Sequence, residues 1–331
     1  MARGPDSARE ARRDYPDDIV LPFGTIRSRM AGRIVRLGAV VDRVLSGHDY
    51  PVAVSEVLGE ALALTALLGQ PIKAGGRLIL QTKTDGPLRF LVTQYESPGA
   101  LRGYAAFDAQ KIAALAAGGG RIAPGALLGQ GRMALTVDPG GEQESHQGII
   151  ALEGDSLAEA ANDYFRQSEQ LPTFIALAVA RHMTPPTKPA IAGKPPDRGW
   201  RWRAGGLVLQ HVPVAGGDPR PDETPEERDA RLDGSDDEDW VRVSTLAATV
   251  EAHELTDPTL SPERLLLRLF HEEGVRVSPE VQLEARCRCS RDRIKGFLDS
   301  FTPEDRQSMR EPDGAISVTC EFCSTQYRFE G

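Results

Sequence analysis

All four cysteines of this 331-residue chain lie near its C-terminus, in two short pairs. Cys287 and Cys289 form a CxC pair, and after a spacer of 30 residues Cys320 and Cys323 form a CxxC pair. Either pair alone is a weak signal, because CxxC also occurs in redox enzymes and by chance. Together the pairs supply four thiolates, the number that a closed tetrahedral zinc site requires. The spacing therefore predicts one Zn²⁺ per chain, bound by these four residues.

The same four thiols are open to other chemistry. A constitutive zinc-ribbon binding protein would use an identical, redox-inert ligand set. The catalytic CxxC of a thiol–disulfide oxidoreductase belongs at a strand-to-helix turn of a βαβ unit, whereas only eight residues follow Cys323 here. If an oxidant displaced the metal, each pair could close a local disulfide, and the small CxC ring would be strained and easily reduced. A reversible redox sensor is therefore compatible with the spacing.

The segments around the cysteines predict a small unit that folds around a metal. Turn residues at 312–314 precede a strand at 316–319 that enters the CxxC pair, and Ser290 and Thr302 mark the starts of two short helices. About 50 residues build too small a core to be stable alone. A structural zinc contributes on the order of 10 to 16 kcal/mol, which exceeds the stability expected of a domain of this size.

The charge balance argues against nucleic acid as a partner, and the lack of a long apolar run argues against a membrane. The formal net charge is -9, and duplex binding depends on cationic contacts to phosphate. A local basic run could mark a nucleic-acid zinc ribbon, but the acidic chain favours a role in lowering cysteine pKa values: Arg286, Arg288, Arg291, Arg293 and Lys295. No run approaches the length of a membrane span. Residues 1–17 are charged, lack a secretory signal and predict a disordered, cytoplasmic tail.

Residues 18–215 predict an N-terminal α+β domain of β-sheet packed with helices. Apolar residues at helical spacing indicate a helix within 50–73, and Asp85-Gly86 marks a hairpin between two strands of 77–95. Further strands are predicted at the segment GALRGYAAF, in a hairpin within 129–152, and at 173–183 and 205–213. Ser156 and Glu159 match a capping box at a helix start.

The composition changes after this domain. Residues 216–239 are strongly acidic and predict a solvated loop. Residues 240–280 predict a metastable helical linker, and 281–331 the zinc-binding redox-switch domain. In the linker, SPERLLLRLF must bury its apolar face, which holds Leu265, Leu266, Leu269 and Phe270, against the N-terminal domain. This docking site and the sheet around 78–92 are the predicted surface for unfolded client proteins.

The chain resembles a known family, the redox-regulated thirty-three-kilodalton heat-shock chaperones of bacteria. The C-terminal likeness lies in CxC-x30-CxxC, VTCEFC and the trailing YRF. In the N-terminal domain and the linker the resembling stretches are RIVRLG, HDYP, LGEALALTALLG, GRLILQTKTDGPL, GALRGYAAFD and ELTDPTLSPERLLLRLFHEE. Together they extend over almost the whole chain, about residues 18 to 329.

The resemblance implies an ATP-independent holdase chaperone of the cytoplasm and not an enzyme, in agreement with the lack of a P-loop motif. It implies that the reduced protein is an inactive monomer with one zinc ion on Cys287, Cys289, Cys320 and Cys323. Oxidation would link Cys287 to Cys289 and Cys320 to Cys323, release zinc and unfold the zinc domain and the linker. The exposed surface would bind unfolding proteins, and the active form would be a homodimer.

Overall fold

The computed structural model describes residues 16–141, 143–154, 156–183, 199–211 and 238–330. Within these residues the protein has ten helices and fourteen strands in three sheets, which confirms the predicted α+β class. The predicted tail 1–17 and the acidic segment 216–239 lie outside the described residues, except for the last two residues of each. The predicted domain boundaries stay predictions.

The first sheet has the strand order β10-β1-β2-β9-β8, and β11 also pairs with β1. All its pairings are antiparallel. Its strands are β1 Ile19–Thr25, β2 Ala31–Leu37, β8 Thr173–Met183, β9 Trp200–Gln210, β10 Val275–Val277 and β11 Val281–Gln282. Side chains alternate along each strand, so that Val35 and Val208 face one side while Ile34 and Leu207 face the other. Both faces of this sheet are therefore covered by apolar groups.

The second sheet has the order β12-β5-β4-β3-β6-β7. The predicted hairpin at Asp85-Gly86 is present, with Lys83 paired to Phe90. The strands are β3 Arg77–Thr84, β4 Leu88–Glu96, β5 Ala100–Phe107, β6 Gln130–Asp138, β7 His146–Glu153 and β12 Glu284–Ala285. Short β12, which comes from the C-terminal part of the chain, pairs in parallel with β5. A sequence-distant segment thus closes this edge of the sheet.

Five helices belong to the N-terminal domain: α1 Ala39–Ser46, α2 Val52–Gly69, α3 Ala109–Ala117, α4 Pro124–Leu128 and α5 Leu157–Ser168. The predicted capping box at Ser156 is present at the start of α5. Helix α2 contacts strands of both sheets and forms the centre of the main core. A helix enclosed on both sides is apolar all round, which explains its sequence.

Helix α2 is the described helix that most resembles a membrane span, although the sequence predicts none. By length and composition it could cross a membrane, since its 18 residues include only Glu56 and Glu60 as charged side chains. Most of the helix is buried inside the protein, as in the core helix of a soluble domain.

The linker helices cover the outer face of the first sheet. They are α6 Glu238–Ala247, α7 Ala252–Thr256 and α8 Pro262–Phe270. The predicted cap of α8 is present, because the Ser261 hydroxyl accepts from the amide of Arg264, and Gly274 past its end has a φ of 67°. The predicted burial of Leu265, Leu266, Leu269 and Phe270 is confirmed. The Phe270 ring stacks on Phe23 of β1 with centroids 5.7 Å apart. The linker therefore docks on the N-terminal domain through an apolar core of its own.

The sheet around 78–92 does not join that docking surface. Leu80, Leu88 and Leu91 are fully buried in the core around α2, on the second sheet. The apolar pattern of these strands thus reflects core packing, since leucines are among the residues most often fully buried.

The C-terminal unit consists of α9 Arg291–Asp299, α10 Pro303–Ser308 and the hairpin β13 Ile316–Thr319 with β14 Gln326–Phe329. Both predicted helix starts are confirmed, with Ser290 and Thr302 as caps. Its buried apolar core is only Leu298, Ile316 and Phe329. At about 1.5 to 3 kcal/mol for each buried side chain, this core cannot offset the ordering entropy of some 40 residues.

Candidate metal centre

The structure brings all four predicted cysteines to one point. Their sulfurs lie within 4.8 Å of one another. The Sγ atoms of Cys287 and Cys320 are 3.6 Å apart, and those of Cys289 and Cys323 are 3.4 Å apart. These are non-bonded distances, because a disulfide measures about 2.05 Å. A tetrahedral site with Zn–S bonds of about 2.3 Å would hold its sulfurs about 3.8 Å apart, so the cluster suits one zinc ion.

Two separate elements position the sulfurs. Cys287 and Cys289 follow β12, and the CxxC pair forms the turn between β13 and β14. In this turn the Ser324 amide donates to the Cys320 carbonyl at 2.8 Å, and Ser324 has a φ of 56°, the left-handed conformation that a tight turn needs. The hairpin thereby folds both CxxC sulfurs toward the CxC pair.

The electrostatics of the thiols suit the binding of a metal cation. Burial raises the pKa of Cys289 to about 12 and also raises the pKa of Cys320. Burial opposes ionisation of Cys323 as well, but hydrogen bonds from the Thr325 hydroxyl and amide lower its pKa to about 7. Four thiolates so close together would repel one another, so that all four can be ionised only with a divalent cation among them. The donor set therefore fits Zn²⁺, and these four residues would hold it.

The tyrosine of the trailing YRF belongs to the cluster. Its hydroxyl donates to Cys289 Sγ at 3.3 Å. This hydrogen bond, with burial, raises the pKa of Tyr327 to about 12. Tyr327 therefore stays a neutral donor that supports negative charge on sulfur, as groups around a metal ligand commonly do.

The prediction that the basic run lowers cysteine pKa values is wrong for Cys289 and Cys320, because burial raises the pKa of both. Instead the arginines have local partners: Arg288 pairs with Glu96, and Arg291 lies over the Phe329 ring at 4.7 Å. Since these cations are engaged within the protein, the run gives little support to a nucleic-acid interface.

The CxxC turn rests on the N-terminal domain, a contact that the sequence analysis missed. The ring of Phe322, between the two cysteines, lies under the Arg102 guanidinium at 4.3 Å and 6.2 Å from the ring of Tyr104. Ser324 Oγ is 3.3 Å from His48 Nδ1, although the sequence assigned His48 no role. The only available signal was that His48 lies in HDYP and Phe322 in VTCEFC, two of the resembling stretches.

A cleft opens beside the thiols at this contact. It has a volume of about 300 Å³ and is lined on one side by Leu101 and Arg102, and on the other by Cys287, Cys289 and Cys323. Small oxidants can therefore approach three of the four sulfurs.

Replacing Phe322 with alanine is expected to loosen the CxxC turn from β5 while the zinc content stays at one per chain. The change removes an aromatic and cation–π contact that contributes about 1 to 2 kcal/mol. Hydrogen exchange at 284–286 should become several-fold faster in the reduced protein, since the backbone pairing there is short. F297A is the matched control, because Phe297 belongs to the same unit but is 62% exposed. Equal exchange in both variants would show that Phe322 does not hold the unit in place.

Comparison with known proteins gives a consistent result. The family model described as Hsp33 protein matches residues 18–330. The chain is 44% identical over 314 residues to the 33 kDa chaperonin of Caulobacter vibrioides, covering 95% of both chains. It is 36% identical to the 33 kDa chaperonin of Nitrosococcus oceani, covering 92% of this chain and 88% of the relative. The crystal structure of the 33 kDa chaperonin of Thermotoga maritima superposes with a TM-score of 0.69 over 95% of both chains, at 21% identity, and so supports the fold.

Proposed function

The chain belongs to the Hsp33 family, a family of chaperones and not of enzymes, and we propose that it is a redox-regulated, ATP-independent holdase of the cytoplasm. The observation that carries the proposal is the convergence of all four cysteines of the chain within 4.8 Å. In the reduced protein Cys287, Cys289, Cys320 and Cys323 hold one Zn²⁺, which supplies the charge that keeps them as thiolates.

The proposed switch is the oxidation of this cluster. Cys287 and Cys289 form one disulfide and Cys320 and Cys323 the other, as the family resemblance implies. Each disulfide forms when two thiolates lose two electrons. One molecule of peroxide accepts these electrons, together with two protons from solvent, and is reduced to two of water. Contacts of 3.6 and 3.4 Å join Cys287 to Cys320 and Cys289 to Cys323, so closing a disulfide within each pair requires the sulfurs to exchange these neighbours. Because the hydrophobic core of this unit is small, the unit then unfolds.

A chain of short pairings connects the cluster to the linker. Immediately before Cys287, β12 pairs with β5 over two residues, and β11 pairs with β1 over two more. The chain segment before β11 is β10, which pairs with β1 over three residues, and α8 precedes β10. Each pairing is too short to persist alone, because every ladder bond contributes only about 1 kcal/mol. Loss of order at the cysteines therefore weakens the attachment of the linker.

Release of the linker uncovers the outer face of the first sheet. That face includes Leu21, Phe23, Ile34, Leu207 and Leu209, which the linker helices bury. An apolar surface of this kind binds the exposed apolar segments of unfolding proteins. On activation the protein associates into homodimers through such surfaces, whereas the covered, reduced form is a monomer.

The test follows zinc, thiols and chaperone activity together. Reduced protein is expected to contain one zinc and four free thiols, and to leave a thermally unfolding client enzyme unprotected. After treatment with peroxide and mild warming, zinc and thiols should both fall to none, and aggregation of the client should be suppressed at stoichiometric ratios. Catalytic reduction of insulin disulfides would instead indicate an oxidoreductase. Zinc retained through oxidation, with client binding unchanged, would indicate a constitutive zinc-ribbon binding protein.

A further inference from the structure

Two arginines lie beneath the linker, on the otherwise apolar face of the first sheet. Arg36 of β2 is only 2% exposed and lies on the same side of the strand as Ile34. Its Nη1 donates to the carbonyl oxygen of Leu260, just before α8. Its Nη2 is buried and makes no hydrogen bond to any described residue. The linker thus supplies the polar contact that Arg36 makes with a neighbouring element.

Arg203 of the adjacent strand β9 makes the second such contact. Its Nε donates to the carbonyl oxygen of Thr256, the last residue of α7, at 2.8 Å. Its two Nη atoms bind the carboxylate of Asp17 in a bidentate pair. The two arginines therefore hold the segment between α7 and α8 by its backbone carbonyls, and that of Thr256 lies at the C-terminal end of α7, where the helix carries partial negative charge.

The linker is also complementary in charge to this pair. The carboxylates of Asp257 and Glu263 favour the charged form of Arg36, against burial and the neighbouring Arg203, which together lower its pKa. When the linker leaves, these carboxylates and both carbonyl contacts leave with it. What remains on the sheet is two guanidiniums against the single carboxylate of Asp17, at the edge of an apolar surface.

We propose that this uncovered surface selects client segments in which acidic side chains accompany the apolar ones. The inference rests on the proposed function and specifies its substrate class. Guanidiniums that have lost their partners on a poorly hydrated surface favour a ligand that brings carboxylates, because charge-assisted hydrogen bonds are stronger than neutral ones. The formal net charge of the protein is -9, so non-specific attraction would favour basic segments instead. A preference for acidic segments is therefore opposite to the preference that the net charge of the protein would produce by itself.

Three helix-forming peptides test this with the oxidised, full-length protein. All carry the apolar residues of α8 at their natural spacing, and their polar positions are all Glu, all Gln or all Lys. Fluorescence anisotropy should show the Glu peptide binding about tenfold more tightly than the Lys peptide, the range of a charged contact near a low-dielectric surface. In R36Q/R203Q this ratio should fall to about one or below, while the Gln peptide binds as before.

Two further variants separate a local effect from a general one. R89Q/R132Q removes the same number of charges from exposed positions of the second sheet, and should keep the preference of the wild type. R36K/R203K retains both charges and should keep it too. If the glutamine variant does not fold, the comparison of the Glu and Lys peptides on the wild type still tests the inference.

The possible results distinguish failure of this inference from failure of the proposed function on which it rests. Equal or tighter binding of the Lys peptide by the wild type overturns the inference, and so does a preference that survives in R36Q/R203Q. If none of the peptides binds the oxidised protein, the proposed function itself fails, and the inference fails with it.

Discussion

Replacing Cys289 with serine is expected to abolish zinc binding and to unfold the C-terminal unit. The hydroxyl is a far weaker zinc ligand than a thiolate, and the apparent stabilisation of about 10 to 16 kcal/mol that a structural zinc provides is lost. The remaining core has three buried apolar residues and cannot replace it. Zinc content should fall from one to near zero, and amide protection in α9, β13 and β14 should disappear.

The N-terminal domain should stay folded in this variant, because its core around α2 contains no residue of α9, α10, β13 or β14. S290A is the matched control, one position along the chain. It removes the hydroxyl that caps α9, at a cost of about 1 kcal/mol, and should retain zinc and protection. A metal-free C289S protein with native protection in β13 and β14 would refute the view that the cysteine cluster maintains the fold of this unit.

Replacing Gly205 with alanine is expected to activate the protein without any oxidant. Gly205 lies on β9, and a Cβ there would collide with the carbonyl oxygen of Leu255 in α7. Backbone atoms cannot move aside as the end of a side chain can, so overpacking should cost the docked linker about 3 kcal/mol. This shifts the balance toward the undocked linker by about 100-fold. The reduced, zinc-loaded variant should therefore suppress client aggregation.

Limited proteolysis provides the structural readout, with faster cleavage expected within 240–280 of the reduced G205A protein. G206A is the control, because a Cβ at Gly206 points to the opposite face of the strand, toward Leu177 and Leu67. It should lower stability slightly and leave the linker protected. If reduced G205A stays inactive and resists cleavage like the control, docking of α7 on β9 is not what keeps the protein inactive.

Features that depend on neighbouring residues were predictable from the sequence. The caps at Ser156, Ser261 and Ser290 are confirmed because a hydroxyl and a nearby amide in the same turn suffice to form them. The hairpin at Asp85-Gly86 is confirmed because it, too, depends only on neighbouring residues. The paired spacing of the cysteines likewise indicated a common site, since four thiols so placed in a small unit have few other stable arrangements.

Contacts between distant segments were not predictable in this way. The hydrogen bond from Arg36 to Leu260 joins residues 224 positions apart, and nothing near either residue specifies it. Nothing near Phe322 in the sequence specifies its contact with Arg102 either. The apolar strands around 78–92 are a further case, because their pattern fits a core and an exposed surface equally well. Such contacts depend on which faces meet in the folded chain.

The sequence by itself thus determined the capped helices and the hairpin that local residues mark, and the grouping of the four cysteines, from which a bound metal is predicted. Only the tertiary structure decided that the linker lies on the outer face of the first sheet, over Gly205 and Arg36, and that the CxxC turn rests on β5. The physical reason is that apolar burial has no direction, so a sequence shows which faces must be covered but not by which partner.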